Sequence, residues 1–125
     1  MLIALGAATG GVARYASVGL LARFAGETFP WGTLLVNVVG SAFLGFFATL
    51  TAPEGRMFVP ASGRLMVTVG FCGGFTTFST FSFETMALAL DRQYWKAGCN
   101  VGLSVAACLV GVWCGYVLAS ALNQR

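Results

Sequence analysis

A chain of 125 residues, 58% apolar, 9% charged and +3 in formal net charge, has room for one domain and too few charges to clothe it in water. A mean hydropathy of +0.83 points to a membrane, and basic residues spread singly exclude a nucleic-acid surface. With no histidine, the commonest general base and metal ligand is missing, and Cys72, Cys99, Cys108 and Cys114 form no CxxC pair, so they read as small packing residues.

The first apolar run, residues 2–24, is long enough to cross a hydrocarbon core of ~30 Å. Met1-Leu2-Ile3 carries no basic region and no small-residue cleavage site follows, so the run reads as a retained span. Gly6 and Gly10 have the small-xxx-small spacing that lets helix backbones approach closely. Arg14 lies inside the run, where a charge must face protein, water or the interface. It either snorkels or caps a neighbouring helix end, or it touches an ion directly.

The short link Ala25 to Pro30 makes the first two helices antiparallel neighbours, with Trp31 as an interfacial anchor. The second span, residues 31–52, is uncharged and holds Asn37. A buried amide must find partners, through an interhelical hydrogen bond or by lining a pore. Gly40, Ser41 and Gly45 give this helix a thin packing face. A polar connection from Pro53 to Arg64 leads to the third span, residues 65–90. Asp91 reads as the N-cap of the fourth helix, with Tyr94, Trp95 and Lys96 at the interface. The fourth span, residues 95–122, carries Gly98/Gly102 and Gly111/Gly115 at four-residue spacing, and Asn100 and Ser104 on one face.

The expected architecture is therefore an all-α membrane protein, one domain over residues 1–125, whose four spans put both termini on one side. Arg56, Arg64 and Arg125 fall on that side, against Arg23, Arg92 and Lys96 opposite. The positive-inside rule then has nothing to act on, so the chain can insert both ways and pair antiparallel with itself.

The third span departs from ordinary apolar helix. It runs Gly70-Phe71-Cys72-Gly73-Gly74-Phe75-Thr76-Thr77-Phe78-Ser79-Thr80-Phe81-Ser82-Phe83-Glu84. Gly73-Gly74 weakens helix by about 1 kcal/mol per glycine, and the hydroxyls that follow can bond freed carbonyls. We expect an interruption at Gly73–Thr77, exposing carbonyls able to bind a small cation and a half-helix N-terminus able to favour an anion. Beyond it, Phe78 and Phe81 fall on one helix face, Thr76 and Thr80 on another, with Ser79 and Ser82 alongside. Positive ring edges beside hydroxyl donors suit a small, hard anion. The bland alternative is a packing seam. Glu84 is the one carboxylate inside a span, either functional or in a watery vestibule.

These residues resemble the signature of the CrcB/Fluc fluoride channels. Gly10-Gly11-Val12-Ala13-Arg14-Tyr15 and Gly32-Thr33-Leu34-Leu35-Val36-Asn37 match that family's first and second segments, and the likeness covers essentially the whole chain. The resemblance implies a dual-topology antiparallel homodimer in the cell (inner) membrane that passively exports fluoride and lowers its toxicity. It implies pore phenylalanines at Phe78 and Phe81, a polar track at Ser79, Thr80 and Asn37, and path positions at Glu84 and Ser104. At Asn100 some relatives carry tyrosine on that track. A structural sodium ion on the dimer axis would be held by the backbone carbonyls of Gly73 and Thr76 from each subunit. Membrane lipid and a second copy are the implied partners, with no nucleic acid.

Two other readings remain open on the residues alone. A proton-coupled carrier of small cationic drugs needs a membrane-embedded acid, and the first two spans have none. A non-transporting membrane subunit would use the aromatic-hydroxyl stretch only for packing. An enzyme is disfavoured, since no nucleophile–base pair or metal cluster appears.

Overall fold

The computed structural model describes residues 1–26 and 28–124, and Glu27 of the first link and Arg125 of the charge balance lie outside the described residues. The elements are α1 (Leu2–Ala25), α2 (Trp31–Leu50), an interrupted third rod, and α6 (Tyr94–Asn123). The third rod begins as α3 (Ala61–Leu65), widens into a π-helical stretch (Met66–Phe71) and returns to one α turn, α4 (Cys72–Phe75). After a two-residue gap it resumes as α5 (Phe78–Leu90). Helices are what this composition permits, because within hydrocarbon every backbone N–H and C=O must be paired inside the segment.

Among the described residues, three helices are by length and composition apolar enough to cross a membrane: Trp31–Leu50, Ala61–Leu90 and Tyr94–Asn123. The 24 residues of α1 are also long enough, at 1.5 Å each, but they carry Arg14 and Arg23.

Two glycine-lined seams hold the bundle together. In the first, α1 lies against the third rod. A methyl group on Gly6 would collide with the Met66 carbonyl, one on Gly10 with the Phe71 carbonyl, and one on Gly74 with the Ala7 carbonyl. In the second, the most extensive in the molecule, α2 lies along α6, with Gly45 on the Val112 carbonyl and Gly115 on the Ala42 carbonyl. Such seams gain dispersion contacts that side chains would block. Some glycines face open space instead, Gly11 and Gly19 on α1 and the Gly98/Gly102 pair on α6 among them.

Several local readings change. The connection after α2 ends at Pro60, not Arg64, because Pro60 precedes a first helical turn closed by Arg64 N–H to the Pro60 carbonyl at 3.0 Å. Asp91 does not cap α6. It is the C-cap of α5, and Gln93 occupies the N-cap position of α6. There α5 closes in a Schellman motif: Gln93 N–H reaches the Leu88 carbonyl at 2.8 Å and Arg92 N–H the Ala89 carbonyl at 3.0 Å. Arg92 takes the left-handed position of that motif, φ 61°, where glycine is usual.

Cations close the two ends of the bundle on backbone oxygen. Lys96 Nζ donates to the Thr28 carbonyl at 3.2 Å at one end. At the other, Arg64 Nη2 donates to the Ala48 carbonyl at 3.2 Å and Arg56 Nη1 to the Leu122 carbonyl at 3.4 Å, each near a helix C-terminus that favours positive charge.

Candidate functional site

The third rod leaves helical conformation at Thr76 and Thr77, both extended (ψ 158° and 115°). Gly73 and Gly74 themselves stay helical, so the interruption falls at the end of the expected Gly73–Thr77 range. Its cause is competition from side chains. In a continuous helix the Thr77 N–H would reach the Gly73 carbonyl. Instead it donates to Asn37 Oδ1 at 2.7 Å, while Asn37 Nδ2 donates to the Thr77 carbonyl at 3.0 Å. One side-chain amide on α2 thus pairs with both polar groups of a single backbone residue. One turn on, the Thr80 N–H goes to Thr77 Oγ1 at 3.2 Å, so Thr77 is the N-cap of α5.

These two diversions strip the Gly73 and Thr76 carbonyls of their helical partners. Thr76 O accepts a hydrogen bond from Arg14 Nη1 at 3.2 Å, so of the two sequence readings for Arg14 the helix-end cap is the one observed. Gly73 is exposed, with nothing within contact distance of its α-carbon face. Oxygen-only donors of this kind fit a small, hard cation, though one chain offers just this pair, so a complete shell needs further oxygens.

The opposite pole of the break is rich in donors. Thr77 Oγ1 donates to Thr80 Oγ1 at 3.0 Å and lies 3.2 Å from Ser79 Oγ, clustering three hydroxyls at the positive N-terminus of α5. Thr76 and Thr80 do not share a face, contrary to expectation, because the break separates them. Thr76 lines one cavity and Thr80 another.

Among the described residues, two cavities flank the break and another lies at the end of the bundle. One of about 450 Å³ is lined by Asn37, Thr76, Thr77, Phe78, Phe81 and Ser104, among others. A second, about 620 Å³, lies between α1 and the start of α5 and includes Arg14, Arg23, Thr33, Thr77 and Thr80. The third, about 540 Å³, holds Trp31, Thr33, Glu84 and Lys96 at the end of the bundle. Thr77 is shared by the first two and Thr33 by the last two.

Phe78 and Phe81 meet with ring centroids 5.2 Å apart and planes tilted by 52°. Phe81 is buried at 7% exposure, whereas Phe78 is 77% exposed. Asn100 and Ser104 do share a face, joined by Ser104 Oγ to Asn100 Oδ1 at 3.4 Å. Asn100, however, is only 1% exposed and donates to Thr85 Oγ1 at 2.9 Å, so it sits inside the α5–α6 seam. Glu84 Oε1 accepts from Thr33 Oγ1 at 2.8 Å, and its Oε2 is buried without a partner. Ser79 and Thr80 are exposed beside the break.

Thr33 and Thr85 are absent from the site expected from sequence, and Thr77 enters it only as the end of the interruption and one of its hydroxyls. Thr33 stands one turn before Asn37 on the same face of an otherwise apolar helix, which was a usable signal. Thr77, a hydroxyl three residues before Thr80, has the spacing of an N-cap.

Comparison with known proteins gives a consistent result. Residues 1–116 match the family model described as CrcB-like protein, Camphor Resistance (CrcB). The chain is 58% identical to the fluoride-specific ion channel FluC of Opitutus terrae over 99% of its own length and 94% of that protein's. It is 53% identical to FluC of Paramagnetospirillum magneticum, covering 98% and 96%. With FluC of Geobacter sulfurreducens the identity is 46%, covering 98% and 97%.

Proposed function

The chain belongs to the CrcB-like family, and from that membership we propose that it is a fluoride-specific ion channel, a multi-pass membrane protein and not an enzyme. The observation that carries the mechanism is the break at Thr76–Thr77, which sets two carbonyls without helical partners, those of Gly73 and Thr76, against a hydroxyl-rich helix N-terminus at mid-span. A small anion leaving water needs replacement donors. The Ser79 and Thr80 hydroxyls, the edges of Phe78 and Phe81, and the remaining Asn37 N–H offer them, and Ser104 can turn its hydroxyl from Asn100 Oδ1 to the path. Asn100 supports Ser104 from behind, and Glu84 marks the path where it opens toward the membrane surface.

The active unit in this reading is an antiparallel homodimer. Phe78, largely exposed on one chain, is the ring a second copy would cover, and a second Gly73–Thr76 carbonyl pair would bring the oxygen donors to four. A structural sodium ion on the shared axis would be held by those carbonyls, supplying fixed positive charge near the anion path.

Function follows from acid–base chemistry and the membrane potential. HF enters a cell as a neutral molecule and ionises in a less acidic cytoplasm. An inside-negative potential, worth about 2.3 kcal/mol per charge per 100 mV, then drives the anion out through the cell (inner) membrane. The test is efflux from liposomes containing only this protein. Fluoride should leave rapidly and chloride should be retained; equal leak of both would refute the selectivity.

A further inference from the structure

The third rod contains no proline between Ala61 and Leu90, and its two glycines nearest the break remain helical. Thr76 and Thr77 lower helix propensity by only about 0.6 kcal/mol each. The rod's own device there, the Thr77 N-cap of α5, diverts the Thr80 N–H and not the Thr77 N–H whose loss frees the Gly73 carbonyl. What distinguishes Thr77 is its partner on another helix, the Asn37 amide, which takes its N–H at 2.7 Å and its carbonyl at 3.0 Å.

We infer that Asn37 is the positioning residue that makes the break, and that its task is to unpair the Gly73 carbonyl for ion coordination. An Asn side chain presents the same donor and acceptor as a peptide group, so it can replace the backbone partner of Thr77 at no loss of hydrogen bonds. The Thr77 N–H is satisfied, and the cost is transferred to Gly73 O, which loses its helical donor. Gly73 itself is exposed, and a methyl group on it would meet nothing. The arrangement is self-consistent in packing. Gly40, one turn along α2 from Asn37, lies against the Thr76 side chain, so bulk there would push the rod away from the amide. Thr76 in turn is tied down by Thr76 Oγ1 to the Cys72 carbonyl at 2.9 Å. The cation site is thus prepared from α2, by a residue that need not touch the cation.

The inference rests on the sodium reading for its purpose but not for its test. The sequence has two Gly-Gly pairs, Gly10-Gly11 and Gly73-Gly74. Labelling glycine with carbonyl ¹³C and amide ¹⁵N therefore isolates two carbonyl signals in nitrogen–carbonyl solid-state NMR of the full chain in lipid. Gly10 lies inside α1 and serves as the internal hydrogen-bonded reference. In sodium-free N-methylglucamine buffer the Gly73 carbonyl should resonate upfield of Gly10. Asn37→Leu, which removes both bonds, should move Gly73 to the Gly10 position as the Thr77 N–H returns to it. Asn37→Asp keeps the acceptor for that N–H and should leave the Gly73 signal where it was. Added sodium should shift Gly73 in the wild-type chain and not in Asn37→Leu.

A Gly73 signal unchanged by Asn37→Leu would overturn the inference. Should the leucine variant not fold, the sodium-free wild-type spectrum decides alone, because a Gly73 carbonyl level with Gly10 would mean that it was never unpaired. If Gly73 is unpaired and responds to Asn37→Leu yet ignores sodium, the positioning role stands and the sodium assignment falls.

Discussion

Arg14 and Thr76 are 62 positions apart in sequence, yet the guanidinium Nη1 of one is 3.2 Å from the carbonyl oxygen of the other. The contact places a fixed positive charge at the negative C-terminus of α4, in the middle of a span. It also occupies one lone pair of an oxygen that the proposed sodium ion would share.

Replacing Arg14 with Met keeps the apolar stem and removes the charge. Loss of a charged hydrogen bond should cost about 1.5–3 kcal/mol of stability, read as a lowered unfolding midpoint in sodium-free detergent solution. Like charges repel, so the same variant should need less sodium for half-maximal protection against unfolding. A higher sodium requirement would show that the guanidinium organises the site and does not compete with it.

Phe78 and Phe81 differ in burial although they are one helical turn apart. Phe78→Ile should change the stability of the dissociated single chain by no more than about 0.5 kcal/mol, as at other exposed positions, while fluoride efflux from liposomes falls at least about tenfold, equivalent to 1.4 kcal/mol. Phe81→Ile should lower both. Retained flux in Phe78→Ile would remove that ring from the pathway.

Thr33 and Glu84 should be energetically coupled. In Thr33→Val the carboxylate loses its one hydrogen bond, a penalty of about 1–3 kcal/mol. Combining Thr33→Val with Glu84→Gln in a double-mutant cycle should return a coupling of at least about 0.5 kcal/mol, as for residues in direct contact. Additive effects would mean that the two groups do not interact in the membrane.

Adjacent glycines should respond with opposite signs. Gly10→Ala drives a methyl group into the Phe71 carbonyl and should destabilise by about 1–3 kcal/mol. Gly11→Ala meets nothing and should stabilise α1 by about 0.5–1 kcal/mol. Thermal or denaturant unfolding of the two single variants is enough to check this.

The parts of the fold written in short-range pattern were legible in sequence. Small-xxx-small spacing at Gly6/Gly10 and Gly111/Gly115 marked real seams, and the hydroxyl-rich stretch after Gly74 marked the region of the break. Local competition was harder to read. Asp91 is as good an N-cap residue as any, but a Schellman closure at Arg92 consumed the turn before α6 could use it. The break falls inside the expected Gly73–Thr77 range, but its exact place at Thr76–Thr77 was not legible because it is set by Asn37, 40 residues away. Glycine content pointed to Gly73-Gly74, whereas Gly74 is there to admit Ala7 of α1. Burial of Asn100 was likewise hidden, since its partner Thr85 looks in sequence like one more alcohol on an apolar helix.

The π-helical stretch Met66–Phe71 carries a further consequence. A π turn is an α-helix holding one surplus residue. Deleting one residue there, Val67 for example, should let the stretch relax to ordinary α-helix, with α3 before it and the contact of Gly74 on Ala7 after it kept in place. The same deletion anywhere from Cys72 to Phe81 would rotate the rings and the freed carbonyls away from their cavity. The rod therefore contains its own slack, and gains or losses of a residue during descent should collect ahead of the break.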